Sequence, residues 1–367
     1  KPDACGGGQK VNPPPKEDDW CPMIKAPFVQ SMVLNFERTL MPNGREVFHL
    51  CKEFSLPSDT NYHIIAWEPV IDNTVLAHHL SLYACEQPDE EAVLEQIGGM
   101  QNVSECKLVP PCSAMILTWS GGSSFPRRCY GNEVGIPLGR NFFKTVILQF
   151  HYNNFELLKD QYDGSGLKIY YTPVLRPNEK AIIAIGQTDI AIPPKSKNFA
   201  VTATGFGGSC SEKQLAPHKS YRILSVLWHM HLIGIYGKLI LTKNSTGERL
   251  TLIDEPMQYH RTKYVAWDAG QQPILEPGDA LSIECRYDAS KRSNWTLFGG
   301  YSAADEMCMA FIDVYPRPQN HFYQMPVDLG QFSYCDVIEP QIGNCSKNTM
   351  AGILQNTQRA KLRKASS

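Results

Sequence analysis

The chain has no apolar run of the roughly 18 residues that a transmembrane helix needs, and no low-complexity tract. It also has little net charge, with a formal value of −2 at pH 7. That balance argues against nucleic acid or an anionic membrane surface as the main partner. Lys1-Pro2-Asp3 lacks the pattern of a signal peptide, so we interpret it as a mature or trimmed start. These absences predict a globular protein without a membrane span.

No Cys-x-x-Cys pair occurs among the 12 cysteines, which argues against the common structural zinc sites. In a reducing compartment so many thiols would be an oxidation liability, so we expect disulfides. Sequons for N-glycosylation stand at Asn102, Asn244, Asn294 and Asn344. Together these features predict a secreted protein, or one in the lumen of the secretory pathway.

The length and texture of the chain predict two β-rich domains, because 367 residues exceed one typical core. Short apolar or alternating runs separated by turns are typical of antiparallel sandwiches. We therefore predict an all-β fold of two tandem antiparallel β-sandwich (jelly-roll) domains. The predicted divisions are a lead-in over 1–25, domains over 26–177 and 178–318, and an extension with a basic tail over 319–367. Residues 89–95 are compatible with one helix.

Two histidines in the second predicted domain share one face of a strand. Because side chains alternate along a strand, His229 and His231 point one way while Trp228, Met230 and Leu232 point the other. Paired imidazoles fixed to a packed sheet suit Zn, Cu, Fe or Ni. Two unrelated surface histidines are an equal alternative for this motif alone.

Three further places carry groups that can bind a metal. His78 and His79 are adjacent, so both can reach one ion only at a β-bulge or through different ring nitrogens. His151 shares the polar face of its strand with Gln149, although a lone strand histidine is more often structural. Met307 alone would more often fill a gap in the core. Beside two imidazoles, however, a thioether completes a soft set that selects copper, especially Cu(I).

In this order the four places resemble the copper type II, ascorbate-dependent monooxygenases. The resemblance covers roughly residues 30 to 315. Its motifs are His78-His79 followed six residues later by Cys85, Gln149-Phe150-His151-Tyr152, His229-x-His231, and Glu306-Met307-Cys308 after a Gly-Gly turn. It implies that His78, His79 and His151 bind one copper, which stores an electron from ascorbate. It also implies that His229, His231 and Met307 bind a second, catalytic copper across an interdomain cleft.

Within the family the chain is more similar to the dopamine β-hydroxylase branch. The motifs behind this are Tyr62-His63-Ile64-Ile65 with Trp67-Glu68-Pro69, and Asp163-Gly164-Ser165-Gly166-Leu167 running into Tyr170-Tyr171-Thr172. The peptidylglycine branch has an arginine two residues before its His-x-His, where this chain has Leu227, and polar residues where it has Met309 and Phe311. A buried substrate carboxylate would be left unpaired here. The sequence therefore argues against peptide amidation.

The resemblance also implies four disulfides. They are Cys51–Cys106, Cys85–Cys112, Cys285–Cys308, and Cys210 with a C-terminal cysteine, Cys335 in preference to Cys345. A bridge at Cys308 would hold the adjacent Met307 in position. The resemblance supplies no partner for Cys5, Cys21 or Cys129.

The expected cofactors are two copper ions, with ascorbate as electron donor and O2 as co-substrate. The reaction would hydroxylate an activated C–H bond and yield an alcohol, water and oxidised ascorbate. A pocket lined by Leu227, Met309 and Phe311 favours a small aromatic amine or phenol, and Gln149 is a candidate to orient water or substrate. The alternatives are hydroxylation of a peptide or protein side chain, and a secreted copper-binding protein without turnover. The sequence does not indicate the oligomeric state.

Overall fold

The computed structural model describes residues 20–85, 102–106, 112, 114–121, 127–187, 190–207, 211–212, 215, 220–258, 263–299, 302 and 304–318. Five predictions lie outside these residues: the lead-in before 20, the helix over 89–95, the Asn344 sequon, the Cys210–Cys335 bridge, and the extension after 318.

The fold is all-β, as predicted. A 3-10 helix spans Pro22–Lys25. The strands of the first half are β1 (Gln30–Asn35), β2 (Thr39–Leu40), β3 (Val47–Ser55), β4 (Asn61–Val70), β5 (Ala77–Ala84), β6 (Ser104–Glu105), β7 (Ala114–Ser120), β8 (Arg128–Cys129), β9 (Val134–Gly139), β10 (Thr145–Asn153), β11 (Tyr162–Asp163), β12 (Gly166–Thr172) and β13 (Asn178–Glu179). The strands of the second half are β14 (Ala181–Gln187), β15 (Ala191–Ile192), β16 (Phe199–Gly207), β17 (Tyr221–His229), β18 (Gly234–Thr242), β19 (Arg249–Pro256), β20 (Tyr264–Ala266), β21 (Ile274–Leu275), β22 (Gly278–Tyr287), β23 (Thr296–Leu297) and β24 (Cys308–Tyr315).

Two large sheets build the first half, and β2 pairs separately with β11. One has the order β1-β12-β4-β9-β13, with β8 also paired to β4, and the other has the order β6-β3-β10-β5-β7. β10 shows why they pack together: Val146, Leu148, Phe150 and Tyr152 are fully buried on the face predicted to be apolar. The Phe150 ring meets Phe36 with centroids 5.4 Å apart. The opposite face of β10 is therefore available for polar side chains.

The second half repeats this plan. One sheet has the order β14-β24-β17-β20, with β21 also paired to β17, and the other has the order β16-β22-β18-β19. Trp228 on β17 is 2% exposed and packs into the core against Gly237 on β18. A Cβ at Gly237 would come within 2.5 Å of the Trp228 ring, so this close contact requires glycine. The contact holds β17 with its other face directed away from this core.

The described strands form no sheet that mixes the first half with the second. Side chains nevertheless make contacts between the halves. At the junction between β13 and β14, the buried Lys180 ammonium lies 2.5 Å from the Asp313 carboxylate, which also accepts a hydrogen bond from Ser225 Oγ at 2.7 Å. The Arg128 guanidinium of the first half lies 4.8 Å from the ring centroid of Tyr264 in the second. The domain divisions themselves stay a prediction.

Four disulfides lie among the described residues. Three are pairs that the resemblance implied: Cys51–Cys106, Cys85–Cys112 and Cys285–Cys308. The fourth, Cys21–Cys129, was not anticipated and links residues 108 positions apart. It ties the segment before β1 to β8. Within the described residues, no helix has the length and apolar character needed to cross a bilayer.

Candidate metal centre

The polar face of the β3-β10-β5-β7 sheet carries a row of histidines. The register places His49 opposite His151, His151 opposite His79, and His79 opposite Ser120. Residues paired in this way project from the same face of a sheet. The ring centroids of His79 and His151 are 4.4 Å apart as a result. Three neighbouring strands thus bring three imidazoles side by side.

His78 joins this row through a β-bulge. The register of β5 against β10 shifts between His151 and Tyr152, which are paired with His79 and Ala77, so His78 is the extra residue. Its Nδ1 lies 3.0 Å from Nδ1 of His79. This is one of the two geometries that the adjacent histidines were predicted to need.

One ring nitrogen from each of His78, His79 and His151 lies within 4.8 Å of the others. The Nε2 atom of His151 is buried and has no hydrogen-bond partner among the described residues. A buried polar atom without a partner is costly unless something binds it. The three residues therefore fit a metal ion.

The β14-β24-β17-β20 sheet contributes the facing wall. His229 is paired with Met309, and Leu227 with Phe311, so all four side chains lie on one face of β17 and β24. This is the face opposite Trp228, as the alternation predicted. The His229 ring centroid lies 5.3 Å from that of His79 on the first sheet. The two sheets therefore meet at their histidines.

The sequence predicted a strand that continues through Leu232, but β17 ends at His229. A buried carboxylate holds the segment beyond it: Glu306 accepts hydrogen bonds from the backbone N–H of His231 at 2.9 Å and of Ile233 at 2.8 Å. The Nδ1 atom of His231 lies 3.1 Å from the carbonyl oxygen of Asp305. With Nδ1 donating there, Nε2 is left with its lone pair and lies 3.2 Å from Nε2 of His229. Beyond the end of β17, the hydrogen bond to Glu306 therefore fixes the backbone of His231 in place of strand pairing.

Met307 is held on both sides. Its carbonyl oxygen accepts a hydrogen bond from Tyr287 Oη at 2.9 Å, and the next residue, Cys308, is bridged to Cys285. Met307 is 5% exposed and lines the same cavity as His229 and His231. Met307 therefore lines the cavity that holds the imidazoles, packed in a small buried cluster with Ala184 and Met309.

The cavity between the sheets has a volume of about 50 Å³. It is lined by His79, Ser81, Tyr83, Met115, Thr118, Ser120, Gln149, His151, Leu227, His229, His231, Met307, Met309 and Phe311. Among these described residues there is no Lys, Arg, Asp or Glu. The wall is therefore histidine-rich at one end and uncharged elsewhere.

Burial sets the protonation of the histidines. It lowers the pKa of His79, His151 and His229 well below the usual value, and neighbouring imidazoles lower each further. Burial also lowers the pKa of His231 to about 4. Burial, and then the nearby His231, lower the pKa of His49 to about 4. At neutral pH these rings are uncharged, which is the form that binds a metal.

Nine of the ten metal-ligand and substrate residues predicted from the sequence line this cavity; His78 does not, and its Nδ1 atom lies 3.0 Å from that of His79. Sequence reasoning missed His49, Glu306 and several polar residues of β5 and β7. Alternation from His79 could have found Ser81 and Tyr83, which follow it on the same face of β5. The two facing sheets thus bring five imidazoles and Met307 together as a candidate metal centre.

Comparison with known proteins gives the family. Two family models match, the N-terminal domain of copper type II ascorbate-dependent monooxygenases over residues 32–159 and the C-terminal domain over 178–334. A tyramine beta-hydroxylase of Caenorhabditis briggsae is 31% identical over 79% of this chain and 49% of its own length. A dopamine beta-hydroxylase of Rattus norvegicus is 27% identical over 82% and 48%. A DBH-like monooxygenase protein 1 of Gallus gallus is 28% identical over 74% and 45%.

The chain belongs to the copper type II ascorbate-dependent monooxygenase family. It spans about half the length of the curated relatives it matches. Among solved structures, the glycosylasparaginase PNGase F of Flavobacterium meningosepticum matches at 10% identity with a TM-score of 0.34, over 86% of this chain and 99% of its own. That likeness is too distant to carry an argument.

Proposed function

We propose that the chain is a secreted copper- and ascorbate-dependent monooxygenase that hydroxylates an activated C–H bond of a small aromatic amine or phenol. The observation that carries the proposal is the close approach of histidines from the two halves, with the ring centroids of His79 and His229 5.3 Å apart. His78, His79 and His151 would hold one ion, and His229, His231 and Met307 the other. Bound copper would supply the redox chemistry with O2 and ascorbate.

The protein's own contribution is to fix these ligands. The register of β10 against β5 aligns the first set, and Glu306 with the Asp305 carbonyl orients His231. Such outer partners keep a ligating imidazole in the tautomer and direction that binding needs. The soft Met307 distinguishes the second set from the all-imidazole first set and favours Cu(I) there.

The substrate assignment is supported by the wall of the cavity. Leu227, Met309 and Phe311 offer an apolar surface to an aromatic ring. Gln149 shares the wall and would orient the polar end of the substrate or a water. No described lining residue is cationic, so nothing there would pair a peptide carboxylate. The names of the tyramine and dopamine beta-hydroxylase relatives also indicate phenolic amines.

Secretion is supported by the disulfides and by the sequons. Asn102, Asn244 and Asn294 are all exposed, so their side chains are accessible to glycosylation. We propose that these positions carry glycans. A mass shift on treatment with a deglycosylating enzyme, absent from the triple Asn→Gln variant, would test this.

Oxygen uptake tests the activity directly. The purified chain should bind two copper ions and consume O2 with ascorbate when a phenolic phenylethylamine is added. A glycine-extended peptide and a sample without substrate are the comparisons. His151→Gln should abolish substrate-dependent uptake, whereas His63→Gln, a buried histidine in the other sheet, should retain it. Uptake only with the peptide, or full copper loading with no uptake on any substrate, would contradict the proposal.

A further inference from the structure

A sixth imidazole extends the first ligand set. His49 on β3 is the register partner of His151 on β10, and it continues the row that begins with His79. Its ring centroid lies 4.5 Å from that of His151, almost the 4.4 Å that separates His79 from His151. His49 and His79 therefore flank His151 on its two neighbouring strands, at nearly equal ring distances.

His49 is held where a ligand would be. It is 3% exposed, and both its ring nitrogens are buried. Its strand neighbours Phe48 and Leu50 are buried in the core, so the backbone of β3 is fixed at this point. Phe48 stacks on Tyr152 with ring centroids 5.1 Å apart. A buried, neutral imidazole on a rigid strand is a preorganised nitrogen donor.

Copper in its two oxidation states differs in the number of ligands it takes. Cu(II) favours square-planar or tetragonal sites with four donors. The group whose nitrogens lie within 4.8 Å of one another contains three residues, His78, His79 and His151, and not His49. A three-nitrogen set is one donor short of four, and His49 is the imidazole that flanks His151 on the strand opposite β5, with ring centroids 4.5 Å apart.

We propose that His49 supplies a fourth imidazole to the ion held by His78, His79 and His151 when that ion is Cu(II). This inference rests on the proposed function, because it requires those three residues to bind copper. The proposal adds His49 as a ligand, and it predicts that the first site loses one ligand when Cu(II) is reduced to Cu(I). The second set, with its thioether, keeps its three donors.

Counting imidazoles tests the proposal without a substitution at His49. In the His229→Ala/His231→Ala variant, only the first set can bind. Pulsed EPR of this variant with one equivalent of Cu(II) should show four coordinated imidazoles. A count of three overturns the role of His49 and leaves the proposed function intact. Failure of the wild-type protein to bind Cu(II) at all overturns both.

Affinity and potential provide the second test. In the same background, His49→Phe and His49→Gln should weaken Cu(II) binding about 10–100-fold while Cu(I) binding changes little. Each tenfold loss of Cu(II) affinity, at unchanged Cu(I) affinity, raises the one-electron reduction potential of the site by about 59 mV. The matched control is His63→Gln, since His63 is 2% exposed but lies in the other sheet, where its Nδ1 accepts a hydrogen bond from the backbone N–H of Arg176. Unchanged Cu(II) affinity and potential in either folded His49 variant would overturn the assignment.

Discussion

The imidazole rings of His79 and His229 lie 5.3 Å apart, centroid to centroid, although they belong to different halves of the chain. His151 and His231 are similarly close, at 6.5 Å. Histidines of the two halves thus face each other across one cavity.

The same closeness limits what the cavity can hold. Its volume of about 50 Å³ accommodates a few waters. An apolar cavity of about 150 Å³ is the size known to hold benzene. An aromatic substrate would therefore require the wall formed by β5 and β7 and the wall formed by β17 and β24 to move apart.

Met307 should be essential to the second set and irrelevant to the first. We expect Met307→Leu to reduce the copper content from two ions to one and to lower turnover about 100-fold or more, because Leu keeps the bulk but offers no lone pair. Copper analysis and oxygen uptake measure the two effects. Met41→Leu, a buried methionine of the first-half core, is the control and should retain both. Retention of full turnover by Met307→Leu would refute the ligand assignment.

Leu227 should set the polarity of the substrate wall. Its side chain is 6% exposed and lines the cavity, so Leu227→Arg places a cation there without a partner. An unpaired buried charge costs several kcal/mol and would repel a substrate ammonium, so kcat/KM for an aromatic amine should fall about 100-fold. Ile274→Arg, at the exposed position of β21, is the matched control. Equal kcat/KM in the two variants would exclude Leu227 from the substrate site.

Local alternation predicted much of the site. On β10 it separated the buried Phe150 face from the Gln149 and His151 face, and on β17 it directed His229 away from Trp228. Alternation depends only on neighbouring residues, so the sequence is sufficient for it. The family resemblance then assembled the separate motifs into two ligand sets.

Long-range register could not be predicted. Whether His49 faces His151 depends on how β3 slides along β10, and a slip of one residue would turn it to the other face. His231 lies beyond the end of β17, so its direction depends on Glu306, which is 75 positions away. The Cys21–Cys129 bridge joins residues whose proximity exists only in the folded chain. Each of these is a tertiary relationship without a local signal.

Two of the disulfides, Cys21–Cys129 and Cys285–Cys308, should have separable effects. Cys21→Ser/Cys129→Ser should lower the free energy of unfolding by about 2–5 kcal/mol, because the bridge closes a long loop of the unfolded chain. Copper content should stay at two, since neither cysteine touches the cavity. Cys285→Ser/Cys308→Ser should also destabilise, but it frees the backbone next to Met307 and should lower the affinity of the second site. Urea denaturation and copper titration compare them; equal loss of copper in both would show that the bridge at Cys308 has no specific role.

Glu306 should make the metal-free protein less stable as the pH rises. Burial raises the pKa of its carboxyl to about 8, although backbone N–H groups, including that of His231, act in the opposite direction. Between the ordinary value of 4.5 and about 8 the folded state keeps a proton that the unfolded state has lost, so the free energy of unfolding falls with rising pH across this window and levels off above it. The side chain of Glu306→Gln does not titrate. Its amide N–H would face a backbone N–H at a position where the Glu306 carboxyl oxygen accepts a hydrogen bond. We expect it to cost about 1–3 kcal/mol at pH 5, with a smaller difference from wild type at pH 8. Urea denaturation of apoprotein at several pH values measures both curves, with the exposed Glu248→Gln as control. A Glu306→Gln curve parallel to wild type would show that the carboxyl does not hold its proton in the folded state.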